Sequence, residues 1–200
     1  MLRSLQTLVR EIGWKNTWRV VRHMSAQKKA GEPYGALPEA DCERERLSRE
    51  QIEPAILLYK ALRTYCPQEA LSVTERIVVD DGIRFLRRSL GVISPTKLAS
   101  LSPDERKTFA ESKAKKFFNA SIRWDRIETD HIHFTVTACR FPPLCKAVGV
   151  PEISPFFCAV DSQYFGSVEE NVLLERSQTI ASGASDCPFT LRVASSQAHE

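Results

Sequence analysis

The spacing of hydrophobic residues changes near residue 120, and this change limits the folds that the chain can adopt. Before it, apolar residues recur every three or four positions, as at Ile52, Ile56 and Leu62, which predicts amphipathic helices. After it, the segment IHFTVTAC at 132–139 alternates apolar and polar residues, which predicts a half-buried strand. The sequence therefore predicts an α+β fold, with a helical N-terminal half followed by a small antiparallel sheet with packed helices.

Capping signals predict where two of the helices begin. Ser72 and Glu75 have the spacing of a capping box, which predicts a helix that ends at Leu90. Ser102 begins a second box, and its helix is expected to run to about Phe118. The other predicted elements are helices at 47–65, 144–148 and after Pro155, and strands at 121–128, 131–139, 172–180 and 187–193.

Residues 1–30 are strongly basic, with seven Lys and Arg and a single acid, Glu11. Within them, residues 2–24 are predicted to form a basic amphipathic helix. Such a helix can lie on an anionic membrane surface, dock on a partner protein, or pack on its own domain with its charges in water. A transit peptide is a further alternative, because acids are scarce here. We expect residues 31–46 to be a linker or loop, and 47–200 to be a single α+β domain.

Charge and hydropathy exclude several classes of protein. The net charge is +3, and the 170 residues after residue 30 carry −3, so the body of the chain has no general attraction to nucleic acid. No apolar run approaches the roughly 20 residues that cross a bilayer, and no secretory signal is visible. We therefore expect a soluble, cytoplasmic protein with a small-molecule substrate and no nucleic-acid partner.

Three of the six cysteines stand at the ends of predicted elements: Cys139, Cys158 and Cys187. No C-x-x-C pair is present, and without a secretory signal the thiols are expected to be reduced. Cys158 lies near a predicted helix N-terminus, whose partial positive charge predicts a lowered thiol pKa. Asp161 would share its helix face and could orient a water or accept a proton. The alternative is that these cysteines are only small buried hydrophobic side chains.

A second candidate site is the pair His131 and His133, which the alternation places with Cys139 on the polar face of one strand. Cys139 is about 20 Å from His133 along an extended strand, so the three residues do not share one metal ion. The two histidines alone could share an ion, or they could simply face solvent.

The C-terminal third of the chain resembles the L-2-amino-thiazoline-4-carboxylic acid hydrolase family, most clearly within residues 121–193. The pattern is a cysteine that closes a strand, an aromatic residue, Gly-x-Pro-Glu, Phe-Cys-x-x-Asp, Glu-Arg-x-x-Thr, and an Ala-x-Gly turn before a cysteine and a phenylalanine. The matching residues are Cys139, Phe141, Gly149, Pro151, Glu152, Phe157, Cys158, Asp161, Glu175, Arg176, Thr179, Ala181, Gly183, Cys187 and Phe189.

Two positions depart from the family pattern. Pro188 stands where the family has an aspartate, and Phe141 lacks the hydroxyl of the tyrosine often found there. The spacing of the cysteines is also similar to that of the 4-vinyl reductase domain, a module proposed to bind a ligand or metal through cysteines.

The resemblance implies a hydrolase that opens a thiazoline ring by attack of water on C2, which yields N-carbamoyl-cysteine. Such a reaction needs a base for the water and an acid for the departing sulfur. Our hypothesis is that Asp161 is the base and Cys158 a nucleophile or acid, with Cys139 and Cys187 lining the pocket. No cofactor is needed for this reaction.

The substrate-binding residues implied by the resemblance are Arg176, Thr179, Phe157 and Phe141. Arg176 would bind the substrate carboxylate, because its planar guanidinium pairs with a carboxylate through two hydrogen bonds. The alternative is a solvent-facing strand arginine that pairs with Glu175 or with no other residue.

A non-enzymatic function is the rival hypothesis. Cys139, Cys158 and Cys187 could hold zinc or iron, or present thiolates to a tetrapyrrole. We expect the purified protein to be metal-free after dialysis, as measured by elemental analysis. A stoichiometric zinc or iron ion that survives dialysis would favour the binding module over the hydrolase.

Overall fold

The computed structural model describes residues 2–91, 95–165, 167–169 and 171–193, and it has the predicted α+β fold. The helices of the described residues are α1 (Leu2–Lys29), α2 (Glu43–Tyr65), α3 (Ala70–Leu90), α4 (Pro95–Ser100), α5 (Pro103–Ala114), α6 (Phe141–Ala147) and α7 (Ser154–Tyr164). The strands are β1 (Ala120–Ile127), β2 (His131–Cys139), β3 (Val172–Glu175) and β4 (Cys187–Val193). Two short 3-10 helices lie at Pro151–Ile153 and Ile180–Ser182.

The chain divides into two compact units. One comprises Met1–Asp81 and Arg140–Phe157, and the other Gly82–Cys139 and Cys158–Glu200. We call them the helical unit and the sheet unit. Within the described ranges, no helix has the length and apolar character needed to cross a membrane. The assignment of 47–200 to a single domain stays a prediction.

The helical unit is built on α2. Ile52, Ile56 and Leu62 have no exposed surface, which confirms the predicted apolar stripe. The first turn of α2 carries Glu43 and Glu45, whose negative charges stabilise a helix N-terminus. Because α2 begins at Glu43, the loop that precedes it is shorter than the predicted 31–46.

Helix α1 has a break that the sequence analysis did not predict. Gly13 has φ 73° and ψ 164°, so two helical segments meet there. Glycine adopts this backbone conformation without the steric cost that a side chain brings. The hydroxyl of Thr17 donates to the carbonyl oxygen of Gly13 at 2.8 Å, which satisfies a backbone acceptor at the break. The predicted helix 2–24 is therefore two segments that extend to Lys29.

Several helix boundaries predicted for the sheet unit are confirmed. Ser102 and Glu105 form the predicted capping box of α5, and Gly91, with φ 64°, follows the end of α3 at Leu90. The hairpin of β1 and β2 is also present. The four strands are all antiparallel, in the order β1-β2-β4-β3.

Three further predicted boundaries are wrong. Helix α3 begins at Ala70, and the hydroxyl of Ser72 donates to the carbonyl of Glu69 instead of capping the helix. Helix α5 ends at Ala114, four residues before Phe118. The predicted strand 172–180 ends after four residues, because only Val172–Glu175 pairs with β4. Beyond it, the chain forms a loop and a 3-10 helix.

A β-bulge in β2 changes which face of the sheet its last residue occupies. Ser121 pairs with Ala138 and Ile122 with Val136, so Thr137 is the extra residue. The bulge turns Cys139 onto the face that carries Val136, where it packs with Cys187 and Phe189. The prediction that Cys139 shares a face with His133 is therefore wrong.

Close packing of α3 on α7 within the sheet unit depends on Gly82. A Cβ built on Gly82 would lie 2.4 Å from Cγ2 and 2.7 Å from Cγ1 of Val160. Valine is stiff at χ1, so these methyl groups have little room to move. The absence of a side chain at residue 82 allows α7, which carries Asp161, to approach α3.

We expect Gly82→Ala to lower the free energy of unfolding by up to about 2 kcal/mol, because an overpacking cost of about 1–3 kcal/mol is offset only in part by a gain of about 1 kcal/mol in helix propensity. In a Val160→Ala background the same change is expected to be neutral or stabilising, because the clash is gone. Urea unfolding of the four variants measures both effects. A Gly82→Ala protein more stable than the parent would contradict the packing argument.

Candidate functional site

The sheet unit brings together five residues that the sequence analysis proposed for the site. We call them the Asp161 cluster: Cys139, Cys158, Asp161, Arg176 and Cys187. Helix α7 supplies Cys158 and Asp161, the loop after β3 supplies Arg176, and the facing ends of β2 and β4 supply Cys139 and Cys187. The pKa of Cys158 responds to the charges of the other four residues, so all of them lie within electrostatic reach of its sulfur.

Arg176 is the best anchored side chain of the cluster. Its Nη1 donates to Oδ2 of Asp161 at 3.1 Å, and its Nη2 donates to the carbonyl oxygen of Cys158 at 2.9 Å and to Oγ of Ser162 at 3.0 Å. Its side chain is only 8% exposed. The alternative of a solvent-facing strand arginine is therefore wrong, because β3 ends at Glu175 and the chain turns Arg176 towards α7.

Phe189 lies beneath the guanidinium of Arg176. The guanidinium carbon is 5.0 Å from the centre of the ring, a distance at which a cation is attracted to an aromatic face. Phe189 also packs with Cys187 and Val136, so the apolar side of the cluster is the inner face of the sheet. The guanidinium is thus held between an aromatic ring and the polar groups of α7.

Two opposing effects set the charge of Asp161. Its side chain is 28% exposed, and burial raises the pKa of the carboxyl group, while the guanidinium of Arg176 lowers it. Burial is the larger effect, and the resulting pKa is about 6. Asp161 is therefore a stronger base than an ordinary aspartate and is still mostly ionised at neutral pH.

The thiol of Cys158 behaves in the opposite way to the sequence prediction. Burial raises its pKa to about 12, and the charge of Arg176 opposes this only in part. Cys158 is the fifth residue of α7, beyond the first turn in which a helix N-terminus lowers a pKa. The predicted lowering is therefore wrong, and the thiol is neutral at physiological pH.

The other two cysteines are held by groups that the sequence analysis did not identify. The backbone N–H of Ile180 donates to Sγ of Cys187 at 3.1 Å, and the amide of Asn119 donates to Sγ of Cys139 at 3.6 Å. Burial nevertheless raises the pKa of the Cys187 thiol. No sequence pattern marks Ser162, Ile180 or Asn119, because their contacts arise between distant segments.

Thr179 caps the 3-10 helix that follows it. Its Oγ1 accepts a hydrogen bond from the backbone N–H of Ser182 at 3.1 Å, and Gly183 ends this turn with φ 95°. The turn presents the N–H of Ile180 to Cys187. The structure therefore gives Thr179 a local role, and its contact with a substrate stays a prediction.

The two predicted aromatic substrate contacts belong to the helical unit. Phe141 begins α6 and Phe157 lies in α7, and their ring centres are 5.0 Å apart with the planes inclined at 53°. Phe141 is buried, so its ring packs as a core residue of that unit. Their role in binding a substrate stays a prediction.

The opposite face of the sheet is polar and contains Pro188, one of the two departures from the family pattern. Along β4, Cys187 and Phe189 are on the inner face, so Pro188 between them is on the other face. There it lines an open depression of about 410 Å³ with Asp125, Thr135 and His133. Because β3 pairs with β4 only as far as Thr190, a proline at 188 removes no hydrogen bond to β3.

The two strand histidines lie on this polar face and stack on each other. Their ring centres are 5.8 Å apart, with the planes 5° from parallel. Nδ1 of His131 is 3.0 Å from Asp130, and Nδ1 of His133 is 3.1 Å from Oγ1 of Thr190. These contacts leave both hypotheses for the histidine pair open.

The sulfur atoms of the Asp161 cluster do not form a compact set of metal ligands. Within the described ranges, the one group of three potential ligands whose atoms all lie within 4.8 Å of each other is Glu128, Asp130 and His131. That group is at the turn between β1 and β2. The zinc or iron alternative for the three cysteines stays a prediction, and the geometry does not support it.

Comparison with known proteins identifies the family. The model of the L-2-amino-thiazoline-4-carboxylic acid hydrolase family matches residues 45–191, so the chain belongs to that family. The match extends from α2 to β4, well beyond the C-terminal third in which the resemblance was recognised, and includes the whole Asp161 cluster. Family membership supports a hydrolase-like function. No curated protein matches the chain.

Two solved structures are similar to the whole chain at low sequence identity. Both are crystal structures of an Fe(II) unliganded H-NOX protein from K. algicida, one of them a mutant. Each is 10% identical, covers 100% of this chain and 97% of its own, and has a TM-score of 0.43 or, for the mutant, 0.42. A likeness at this level carries no argument about fold or function.

The raised pKa of Asp161 makes stability depend on pH in a definite direction. Between the ordinary aspartate value of 3.8 and about 6, the folded protein keeps a proton that the unfolded chain has lost. The contribution of Asp161 to the free energy of unfolding therefore falls by up to about 3 kcal/mol as pH rises through this interval. The contribution of Asp161 to the free energy of unfolding is therefore largest below pH 4.

We expect the stability of the wild-type protein, minus that of Asp161→Asn, to fall between pH 4 and pH 7 in urea titrations. Asp80→Asn removes a carboxylate from an exposed position on α3 and serves as the control. A difference between wild type and Asp161→Asn that stays constant over this range would show that burial does not raise the pKa of Asp161.

Proposed function

We propose that the protein is a hydrolase that opens a small ring containing sulfur and nitrogen, such as that of 2-amino-thiazoline-4-carboxylate, with Asp161 as the base. The observation that carries this proposal is a carboxyl group of pKa about 6 held against Arg176, within the residues that match the family. General bases act best when their pKa is near the working pH.

The reaction needs two proton transfers. Water adds its oxygen to C2 of the ring, and one of its protons passes to the ring nitrogen. The second proton then passes from the new C2 hydroxyl to the sulfur as the carbon–sulfur bond breaks and the carbonyl forms. The product is N-carbamoyl-cysteine, with a free thiol. One carboxyl group that gains and loses a proton easily can carry both, and this is the role of Asp161.

Arg176 orients Asp161 and offers donors to the substrate. Three of its N–H groups are used on Asp161, Cys158 and Ser162. An arginine has five such groups, and the others make no hydrogen bond to the described residues. In this proposal they bind the carboxylate of the substrate, as the family resemblance implies. The ion pair also keeps the carboxylate of Asp161 ionised against the effect of burial.

In this proposal, Cys158 is an uncharged side chain that lines the site, and it is not a nucleophile. A thiol of pKa about 12 supplies almost no thiolate at neutral pH. It is also a weaker acid than the protonated carboxyl of Asp161, so the proton that the departing sulfur takes up comes from Asp161. Cys139 and Cys187 complete the apolar lining from the inner face of the sheet.

Pro188 does not remove a carboxylate from this cluster. It lies on the opposite face of the sheet from Cys187 and Phe189, with Asp125 and Thr135. The loss of the family's aspartate therefore leaves the proposed base and its arginine in place.

We expect Asp161→Asn to lower kcat for 2-amino-thiazoline-4-carboxylate by about 100- to 10,000-fold, the usual contribution of a general base. For the wild-type protein, kcat/KM should fall about tenfold per pH unit below pH 6, because Asp161 becomes protonated. Release of thiol, followed with a thiol reagent, measures both quantities.

Two control variants make this experiment specific. Asp125→Asn removes a carboxylate from the polar face of the same sheet and should keep its activity. The activity of Cys158→Ala should stay within about tenfold of the wild-type activity, because an uncharged thiol takes no part in the reaction. Full activity of Asp161→Asn would overturn the proposed base, and a loss with Cys158→Ala as large as that expected for Asp161→Asn would restore the nucleophile hypothesis.

A further inference from the structure

The second segment of α1, residues 14–29, presents two tryptophans and three cations on one face. At 100° per residue, Trp14, Lys15, Trp18, Arg22 and Lys29 fall within an arc of about 100°. All five are exposed. We call this set the Trp/cation face.

Packing within the helical unit determines which way this face points. Thr17 and Val20, on the other side of the segment, are 1% and 0% exposed, and α1 packs on α2. The helix is therefore already docked through a buried side. Helix α1 therefore packs on α2 within the helical unit, but the side it leaves in water carries large apolar groups as well as charges.

The exposure of the two tryptophans is unusual for a soluble helix. Trp14 is 69% exposed and Trp18 is 58% exposed, and they are one turn apart. Adjacent exposed aromatic side chains of this size mark an interaction surface more often than a simple solvated face. The guanidinium of Arg22 lies 5.8 Å from the centre of the Trp18 ring, so cation and aromatic groups are combined in the same patch.

The charge around the tryptophans has one sign. Residues 12–31 contain no Asp or Glu. Lys28 lies about 40° outside this arc, beside Trp14, and pairs with Glu53, whereas Lys15, Arg22 and Lys29 are exposed within the arc. A binding partner for this face therefore needs an apolar layer next to negative charge.

We propose that the Trp/cation face binds the surface of an anionic membrane. Tryptophan is the side chain that most favours the boundary between lipid headgroups and acyl chains, and each lysine or arginine near an anionic surface strengthens binding about fivefold. The combination of two tryptophans and three cations matches such a surface in both respects. The family match begins at residue 45, so this face lies outside the matched residues and is independent of the proposed hydrolase reaction.

The test is sedimentation of the full-length protein with vesicles of phosphatidylcholine alone and of phosphatidylcholine mixed equally with phosphatidylserine. We expect binding to the anionic vesicles only, weakening as salt is raised, because the cations are exposed and screened. Trp14→Ala with Trp18→Ala should lower the affinity by at least about tenfold, since the apolar contribution is lost. The melting temperature should not change, because neither side chain is buried.

A matched pair of charge variants distinguishes binding through the Trp/cation face from general electrostatic attraction of the protein to anionic vesicles. Lys15→Gln with Lys29→Gln should weaken binding about 20- to 30-fold, at roughly fivefold per cation. Lys107→Gln with Lys115→Gln makes the same charge change at exposed positions of the sheet unit and should leave binding nearly unchanged. In a Trp124→Phe protein, fluorescence reports only Trp14 and Trp18, and it should shift to shorter wavelength on binding.

Three results would overturn the proposal. They are no sedimentation with anionic vesicles, equal binding to neutral vesicles, and binding that the Trp14/Trp18 variant retains in full. Each of these would exclude the Trp/cation face as a binding surface for anionic membranes, whatever the outcome of the hydrolase assay.

Discussion

The ion pair of Asp161 and Arg176 is the interaction on which the candidate site depends. Burial disfavours the carboxylate, and the guanidinium favours it, so the pKa of about 6 is the balance of two large effects. Arg176 reaches this position because three hydrogen bonds attach it to α7 immediately after β3 ends. The same contacts that hold the loop in place therefore set the basicity of the proposed catalytic group.

The two faces of the sheet have different chemistry. The inner face carries Cys187 and Phe189 beneath Arg176, whereas the outer face carries a polar depression with Pro188. A single bulge at Thr137 decides that Cys139 belongs to the inner face. Because one residue of register reverses the face of every later residue in a strand, local irregularities matter as much as the alternation itself.

Hydrophobic period was enough to predict the α+β class, the hairpin of β1 and β2 and the apolar stripe of α2, and the capping signal was enough to predict the start of α5 after Ser102. These features depend on residues close together in the chain. Prediction was wrong where contacts between distant segments decide the local structure. Ser72 lies inside α3 instead of capping it, and Arg176 lies beyond the end of β3, with its side chain bound to α7. The predicted direction of the pKa shift of Cys158 was also wrong, because burial raises this pKa and Cys158 lies beyond the first turn of α7.

The sequence by itself determined which residues are candidates for the chemistry of the site and the order in which they occur, because residue identity and local spacing are properties of the chain. It also determined the basic character of α1. Only the tertiary structure decided that Asp161 is paired with Arg176, that the thiol of Cys158 is neutral, and that Trp14 and Trp18 face outward. Ionisation and exposure depend on what surrounds a side chain, and that environment exists only after segments far apart in sequence have packed together.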